Sequence, residues 1–144
     1  MAFLLDVNVI IALIDPAHVH HQPAHDWFAS SGRTAFATCP LTENGVLRIV
    51  GHPRYPNGPG TPMAAAESLA GLRDLAGHEF WPDDISLLDD TMIDRSRLLA
   101  SSQITDTYLL ALARSRNGQL ATFDGRIVVD AIRGDAAASV SLIG

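Results

Sequence analysis

The sequence holds one cysteine, no lysine and no long uninterrupted apolar run. Each shortage excludes something. A lone thiol, Cys39, cannot form an intramolecular disulfide or a cysteine-based zinc cluster. It lies in the apolar run 35–39, which suits a buried small hydrophobe, because a reactive thiol needs an electropositive, partly open setting. Nothing in the cysteine usage signals secretion. A P-loop nucleotide site and a phospho-receiver pocket both need a lysine, so both are excluded. The first residues carry no basic n-region, and Asp6 interrupts the first apolar run, so no signal peptide is expected. No stretch approaches the ~20 apolar residues of a membrane span. The expectation is a cytoplasmic protein without a membrane segment.

The chain has 144 residues, of which 47% are hydrophobic. That suits one domain over residues 1–144, since domains commonly run to roughly 100–200 residues and bury about two-thirds of their unfolded surface at this size. The formal charge is -6, which speaks against a general nucleic-acid binder with a basic face. All ten basic residues are arginine, however, and the guanidinium fork is the better phosphate ligand. Bound divalent cations would also offset the acidic total.

Hydrophobic patterning alternates between strands and helices. Short apolar runs at 2–5 and 34–38 read as buried strands of a parallel sheet. Segments 7–14, 18–30, 40–50 and 63–76 read as helices, with a loop at 51–62 because four prolines and three glycines there exclude regular structure. Further strands are expected at 78–81, 119–123 and 140–143. Further helices are expected at 91–99 and from about 105 to 116, the latter closed by Asn117-Gly118. The predicted class is α/β, a three-layer α/β/α sandwich around a mostly parallel sheet of four or five strands.

Ligands of such sheets collect at the carboxyl ends of the strands. Asp6 ends the first strand, and Asp124 follows the strand at 119–123. Glu43 lies in the first turn of the helix after the second strand, and Asp106 at the start of the helix near 105. The prediction is that these four acids share one edge of the sheet. Carboxylates so placed repel each other unless a cation intervenes. Oxygen-only ligation favours magnesium or manganese, and such a site suits phosphodiester hydrolysis. Asn8 and Thr122 are placed to orient the acids. Each acid also has an ordinary explanation: Asp6 and Asp106 as helix caps, Asp124 as a turn residue beside Gly125, Glu43 as a capping partner.

The stretches LLDVNVIIAL at 4–13, LTENGVLRIV at 41–50, ITDTYLLALA at 104–113 and LATFDGR at 120–126 sharpen the choice. In these the chain resembles the PIN-domain ribonucleases and, within them, the VapC toxins of type II toxin–antitoxin systems. The resemblance implies a PIN-like fold and metal ligation by Asp6, Glu43, Asp106 and Asp124, supported by Asn8 and Thr122. It implies magnesium or manganese as cofactor and a structured RNA substrate such as tRNA or ribosomal RNA, whose cleavage arrests translation. It also implies a homodimer, and a VapB-type antitoxin that joins it in a heterotetramer or larger assembly.

Several other residues invite a reading. His18, His21 and His25 follow helical spacing, but no fourth zinc ligand is evident and a helix surface explains them. Trp27 and Phe28 fit a core better than a base-stacking platform. Arg126, Arg48 and Arg54 are the candidate RNA contacts, with Arg114 and Arg116 further possibilities; Tyr55 beside Arg54 offers a stacking face. A haloacid-dehalogenase-like phosphatase is disfavoured, because Asn8 stands where that chemistry needs a second acid. A housekeeping RNA-processing nuclease and a non-catalytic PIN-like binding module remain as alternatives to a toxin.

Overall fold

The computed structural model describes residues 1–144. Five short strands, β1 (Phe3–Leu5), β2 (Phe36–Thr38), β3 (His78–Phe80), β4 (Gln119–Thr122) and β5 (Val140–Leu142), form one sheet in the order β3-β2-β1-β4-β5. Every neighbouring pair is parallel. Five α-helices surround it: α1 (Val7–Ile14), α2 (His21–Trp27), α3 (Pro40–Val50), α4 (Pro62–Arg73) and α5 (Ile104–Ser115). The chain winds outward from β1 through β2 to β3, then returns to place β4 on the opposite side of β1. The direction of winding therefore reverses between β1 and β4, and a crevice opens there at the strands' carboxyl ends.

Both faces of the sheet are covered, which is why its strands lack polar alternation. On one face α1, α3 and α4 pack Ile10, Val46, Val50 and Leu69 against Leu5 and Phe36. On the other, Leu109, Leu110 and Leu112 of α5 pack with Trp81 and Ile93 against Leu4 and Leu120. Cys39 is fully buried in this second layer, and burial pushes its thiol up to about 11, so it is an inert packing residue as expected. Thr42 closes a capping box with Cys39 at the start of α3. After α5, Asn117 adopts a left-handed φ of 55°, and Gly118 follows because a Cβ there would lie 2.5 Å from the Ala2 carbonyl oxygen.

Two expectations need correction. The segment 91–99 is not an α-helix. Asp89 accepts from the amide and hydroxyl of Thr91, Asp94 does the same for Ser96, and only Arg95–Arg97 completes a 3-10 turn. Such local side-chain bonds compete with a helix, and Ile93 instead makes an antiparallel bridge to Ile132. The second helix is also shorter than 18–30: α2 begins at His21, and residues Phe28–Gly32 widen into a π-helical turn.

Candidate active site

β1 ends directly at Asp6, which starts α1. Its Oδ1 accepts from the Val7 amide at 2.8 Å, and its Oδ2 accepts from the Thr122 hydroxyl at 2.9 Å. Thr122 ends β4, beside β1, and its Oγ1 also accepts from the Asp124 amide at 3.1 Å. One fully buried hydroxyl thus couples the two acids across the β1–β4 crevice. Asp124 spends one oxygen on the Arg126 amide in a tight turn. The ordinary capping and turn roles are therefore real for Asp6 and Asp124, and they fix the carboxylates.

Asp106 lies in the first turn of α5, half-buried, and accepts no hydrogen bond. Its pKa is pushed up to about 6 by loss of water and by the negative charges of Asp6 and Asp124. The Asp6 carboxyl is also raised, mainly by burial, with Asp124 adding to the shift. Asp106 therefore feels the charges of Asp6 and Asp124, and Asp6 feels that of Asp124. Asp6 and Asp106 border an open cleft of about 360 Å³, with Asn8 and Arg48 on its walls. A larger cavity of about 660 Å³ lies elsewhere, around Met1, Glu79 and Trp81, where Arg116 already pairs with Asp84 at 2.8 Å.

Glu43 departs from the expectation. It is not among the residues that line the cleft, and its side chain is held by β2 and α4. Its Oε2 accepts from the Thr38 hydroxyl at 2.7 Å, and its Oε1 pairs with Arg73 at 3.3 Å. Since Thr38 gives its only proton to Glu43, His78 Nε2, also 2.7 Å from that hydroxyl, must be the donor to it. Accordingly, burial and the nearby Arg73 lower the His78 pKa. Asn44 takes the cleft-facing position instead, one turn before Arg48. No motif marks Asn44, although its i, i+4 spacing to Arg48 is a usable signal in the sequence.

The other candidates separate cleanly. Arg126 has an exposed side chain beside Asp124, and Arg54 is exposed on the 51–62 loop. Arg114 is used on the Asp135 carbonyl. Tyr55 donates to Asp15, so its ring is anchored. His21 and His25 meet the Ala12 and Leu13 carbonyl oxygens at 2.7 and 2.9 Å, where the last turn of α1 leaves acceptors free. That engagement, not a zinc site, accounts for their spacing. His20 stacks on Phe123, next to Asp124, with ring centroids 4.6 Å apart.

No three His, Cys, Asp or Glu side chains are drawn together into a ready-made cation cage. The donor chemistry nevertheless fits a hard divalent cation. The set is all oxygen, the charges repel, and Asp106 has both oxygens uncommitted.

Comparison with known proteins agrees with this architecture. The PIN domain family model matches residues 3–131. Ribonuclease VapC44 of Mycobacterium tuberculosis is 43% identical over 134 residues, covering 93% of this chain and 94% of the relative. Ribonuclease VapC39 of the same species is 42% identical, covering 93% and 96%. Among solved structures, Mycobacterium tuberculosis VapC20, described as a sarcin-ricin loop cleaving toxin, superposes with a TM-score of 0.64 at 16% identity over 99% of this chain and all of that one. VapBC2 from Rickettsia felis, solved with a promoter DNA fragment, gives 0.58 at 11% identity over the full length of both chains. These two likenesses concern the fold. Family match and close relatives together establish that this chain belongs to the PIN-domain family and, within it, to the VapC-type ribonucleases.

Proposed function

We propose that this VapC-type ribonuclease hydrolyses a phosphodiester bond of a structured RNA, tRNA or ribosomal RNA, using Mg²⁺ or Mn²⁺ held by Asp6, Asp106 and Asp124, and thereby arrests translation. The observation that carries the reading is Asp106: a half-buried carboxylate with no hydrogen-bond partner and two acidic neighbours. Such a group is unfavourable alone and becomes favourable beside a cation. When bound, the cation lowers the pKa of a coordinated water and neutralises phosphate charge. The chain's own residues do the positioning. Thr122 holds Asp6 and the turn of Asp124 in one frame. Arg48, exposed on the cleft wall with no carboxylate partner, meets the phosphate backbone, and Asn8 and Asn44 supply neutral polar groups around it. Arg126 and Arg54 extend the path of the strand. Glu43 acts one step back, tying α3 to β2 and α4 so that Asn44 and Arg48 face the cleft.

In this reading residues 1–144 act as one PIN domain in the cytoplasm. The chain forms a homodimer and a heterotetramer or larger complex with a VapB-type antitoxin.

Induced expression of the wild type and of Asp6→Asn, followed by sequencing of RNA 5′ ends, tests it. New ends at a discrete site should accumulate with the wild type alone. In vitro, EDTA should stop cleavage and Mg²⁺ or Mn²⁺ should restore it. Cleavage that persists in Asp6→Asn, or that ignores chelation, contradicts the reading.

A further inference from the structure

β4 ends at Thr122, and beyond it the sheet no longer holds the chain. The Thr122 carbonyl oxygen accepts from the Ile143 amide at 2.8 Å, and the ladder stops there. Asp124 then depends on two local bonds. Its amide donates to the Thr122 hydroxyl at 3.1 Å, and its Oδ1 accepts from the Arg126 amide at 2.8 Å. Its Oδ2 is left uncommitted.

Phe123 lies between the two residues that frame the acids. It packs against the core layer of α1, α3 and α4. The His20 ring lies almost flat on it, with centroids 4.6 Å apart and planes 20° apart. His20 comes from the turn that follows α1, and that turn is closed without help from the ring. The Asp15 side chain accepts from the Ala17 amide at 2.9 Å, and its carbonyl from the His18 amide at 3.1 Å. The His20 amide donates to His18 Nδ1 at 3.0 Å, and the Tyr55 hydroxyl ties Asp15 to the 51–62 loop. The His20 side chain itself is exposed, and its ring nitrogens enter no hydrogen bond or ion pair. Its neighbours are rings, Phe123 and, at 5.7 Å, His18. What the His20 ring does here is therefore cover Phe123.

We infer that His20 positions Asp124 for cation binding by clamping Phe123, which makes the turn after α1 part of the frame of the acidic site. The inference rests on the reading above that Asp124 helps to hold the cation. A ring held on the core and under a second ring fixes the backbone of residue 123, and the Asp124 carboxylate is carried by the next residue. Thr122 holds this short segment from the sheet side, and His20 holds it from the helix side. A stack of this geometry is worth about three- to tenfold in an equilibrium beyond the area it buries. Removing it shifts the Asp124 turn from held to loose by that factor. The apparent affinity for a cation falls with the fraction of chains that keep the competent turn.

The test measures Mn²⁺ binding to the full chain from the EPR signal of free Mn²⁺. Beside it runs steady-state cleavage of a short RNA spanning the bond that the wild type cuts in total RNA. Because His20 is exposed, substitutions there leave the core intact. His20→Ala should weaken Mn²⁺ binding about three- to tenfold and raise the Mn²⁺ needed for half-maximal cleavage by the same factor. At saturating Mn²⁺ its kcat should return to the wild-type value, with KM for RNA unchanged throughout. His20→Phe keeps a flat ring without ring nitrogens and should restore Mn²⁺ affinity. Phe123→Leu should match His20→Ala, and combining the two should add nothing further. If Phe123→Leu does not fold, the two His20 variants decide alone. Unchanged Mn²⁺ affinity in His20→Ala overturns the inference. So does a raised KM for RNA with Mn²⁺ binding intact, which would make the ring an RNA contact instead. A His20→Phe variant as weak as His20→Ala overturns it too, because the stack is then not what matters. Each of these results leaves the metal reading standing. A wild type that binds no Mn²⁺ overturns both.

Discussion

Replacing Asp106 by Asn should make the cation-free protein more stable at neutral pH. The carboxyl's ordinary pKa of 3.8 rises to about 6 in the fold. At ~1.36 kcal/mol per unit the ceiling is about 3 kcal/mol. The group is only half-buried, so solvent screening takes this down to about 1.5 kcal/mol. A carboxylate in the first turn of α5 also gains roughly 0.5 kcal/mol from the helix dipole, which Asn forfeits. Repulsion wins, leaving about 1 kcal/mol in favour of Asn, or about 2–4 °C in Tm for a domain near this size. The sign fixes the pH window. Between pH 3.8 and about 6 the folded state keeps a proton that the unfolded state has released. The favourable contribution of Asp106 is therefore complete below 3.8 and is lost as pH rises through about 6. Thermal unfolding in EDTA should show the Asn variant ahead at pH 7.5 and nearly level with the wild type at pH 4. Millimolar Mg²⁺ should raise the wild type and close the gap at pH 7.5. A variant that is less stable than the wild type at pH 7.5, or equally shifted at both pH values, would refute the idea that Asp106 is held in an uncompensated acidic cluster.

Arg48→Ala should weaken RNA binding regardless of sequence and reduce the dependence of log K on log salt by about 1; an unchanged slope would remove Arg48 from the phosphate path. Glu43→Gln should preserve the rise in Tm caused by Mg²⁺, because the carboxylate is committed to Thr38 and Arg73, while lowering the cation-free stability by about 1–2 kcal/mol through the weakened charge-assisted pair. Loss of the Mg²⁺ response in Glu43→Gln would return Glu43 to the cation site. His21→Ala and His25→Ala should each lower stability by about 1 kcal/mol with cleavage unaltered, since each ring serves a free carbonyl at the end of α1; a stability unchanged in urea titration would argue that water replaces them without loss.

The strand ladder was legible because its residues are buried on both faces, so β1, β2 and β4 stand out as short apolar runs between helical segments. Asp6 and Asp124 could be placed with them, because a residue that ends a parallel strand has little freedom of position. What patterning could not supply was the outcome of local competition. Residues 91–99 carry enough apolar side chains for a helix, yet Asp89 and Asp94 hand their oxygens to the neighbouring Thr91 and Ser96. The bridge from Ile93 to Ile132 then holds the segment in turns, and nothing within the segment's own sequence announces a partner so far along the chain.

Glu43 shows a different limit, one of rotation about a helix axis. Its place in the first turn of α3, directly after β2, puts it near the sheet's carboxyl edge. A helix advances about 100° per residue, however, so neighbouring positions face different elements. Glu43 precedes Val46 by three residues and Val50 by seven, and both valines are buried in the layer under α3 and α4. A side chain on that stripe must turn inward, and a carboxylate there survives only if donors meet it. Thr38 and Arg73 are those donors. Asn44 and Arg48, four residues apart on the adjacent stripe, face the cleft by the same geometry. The apolar residues of α3 thus fix which of its polar residues can reach RNA, and moving the stripe by one position would exchange the roles of Glu43 and Asn44.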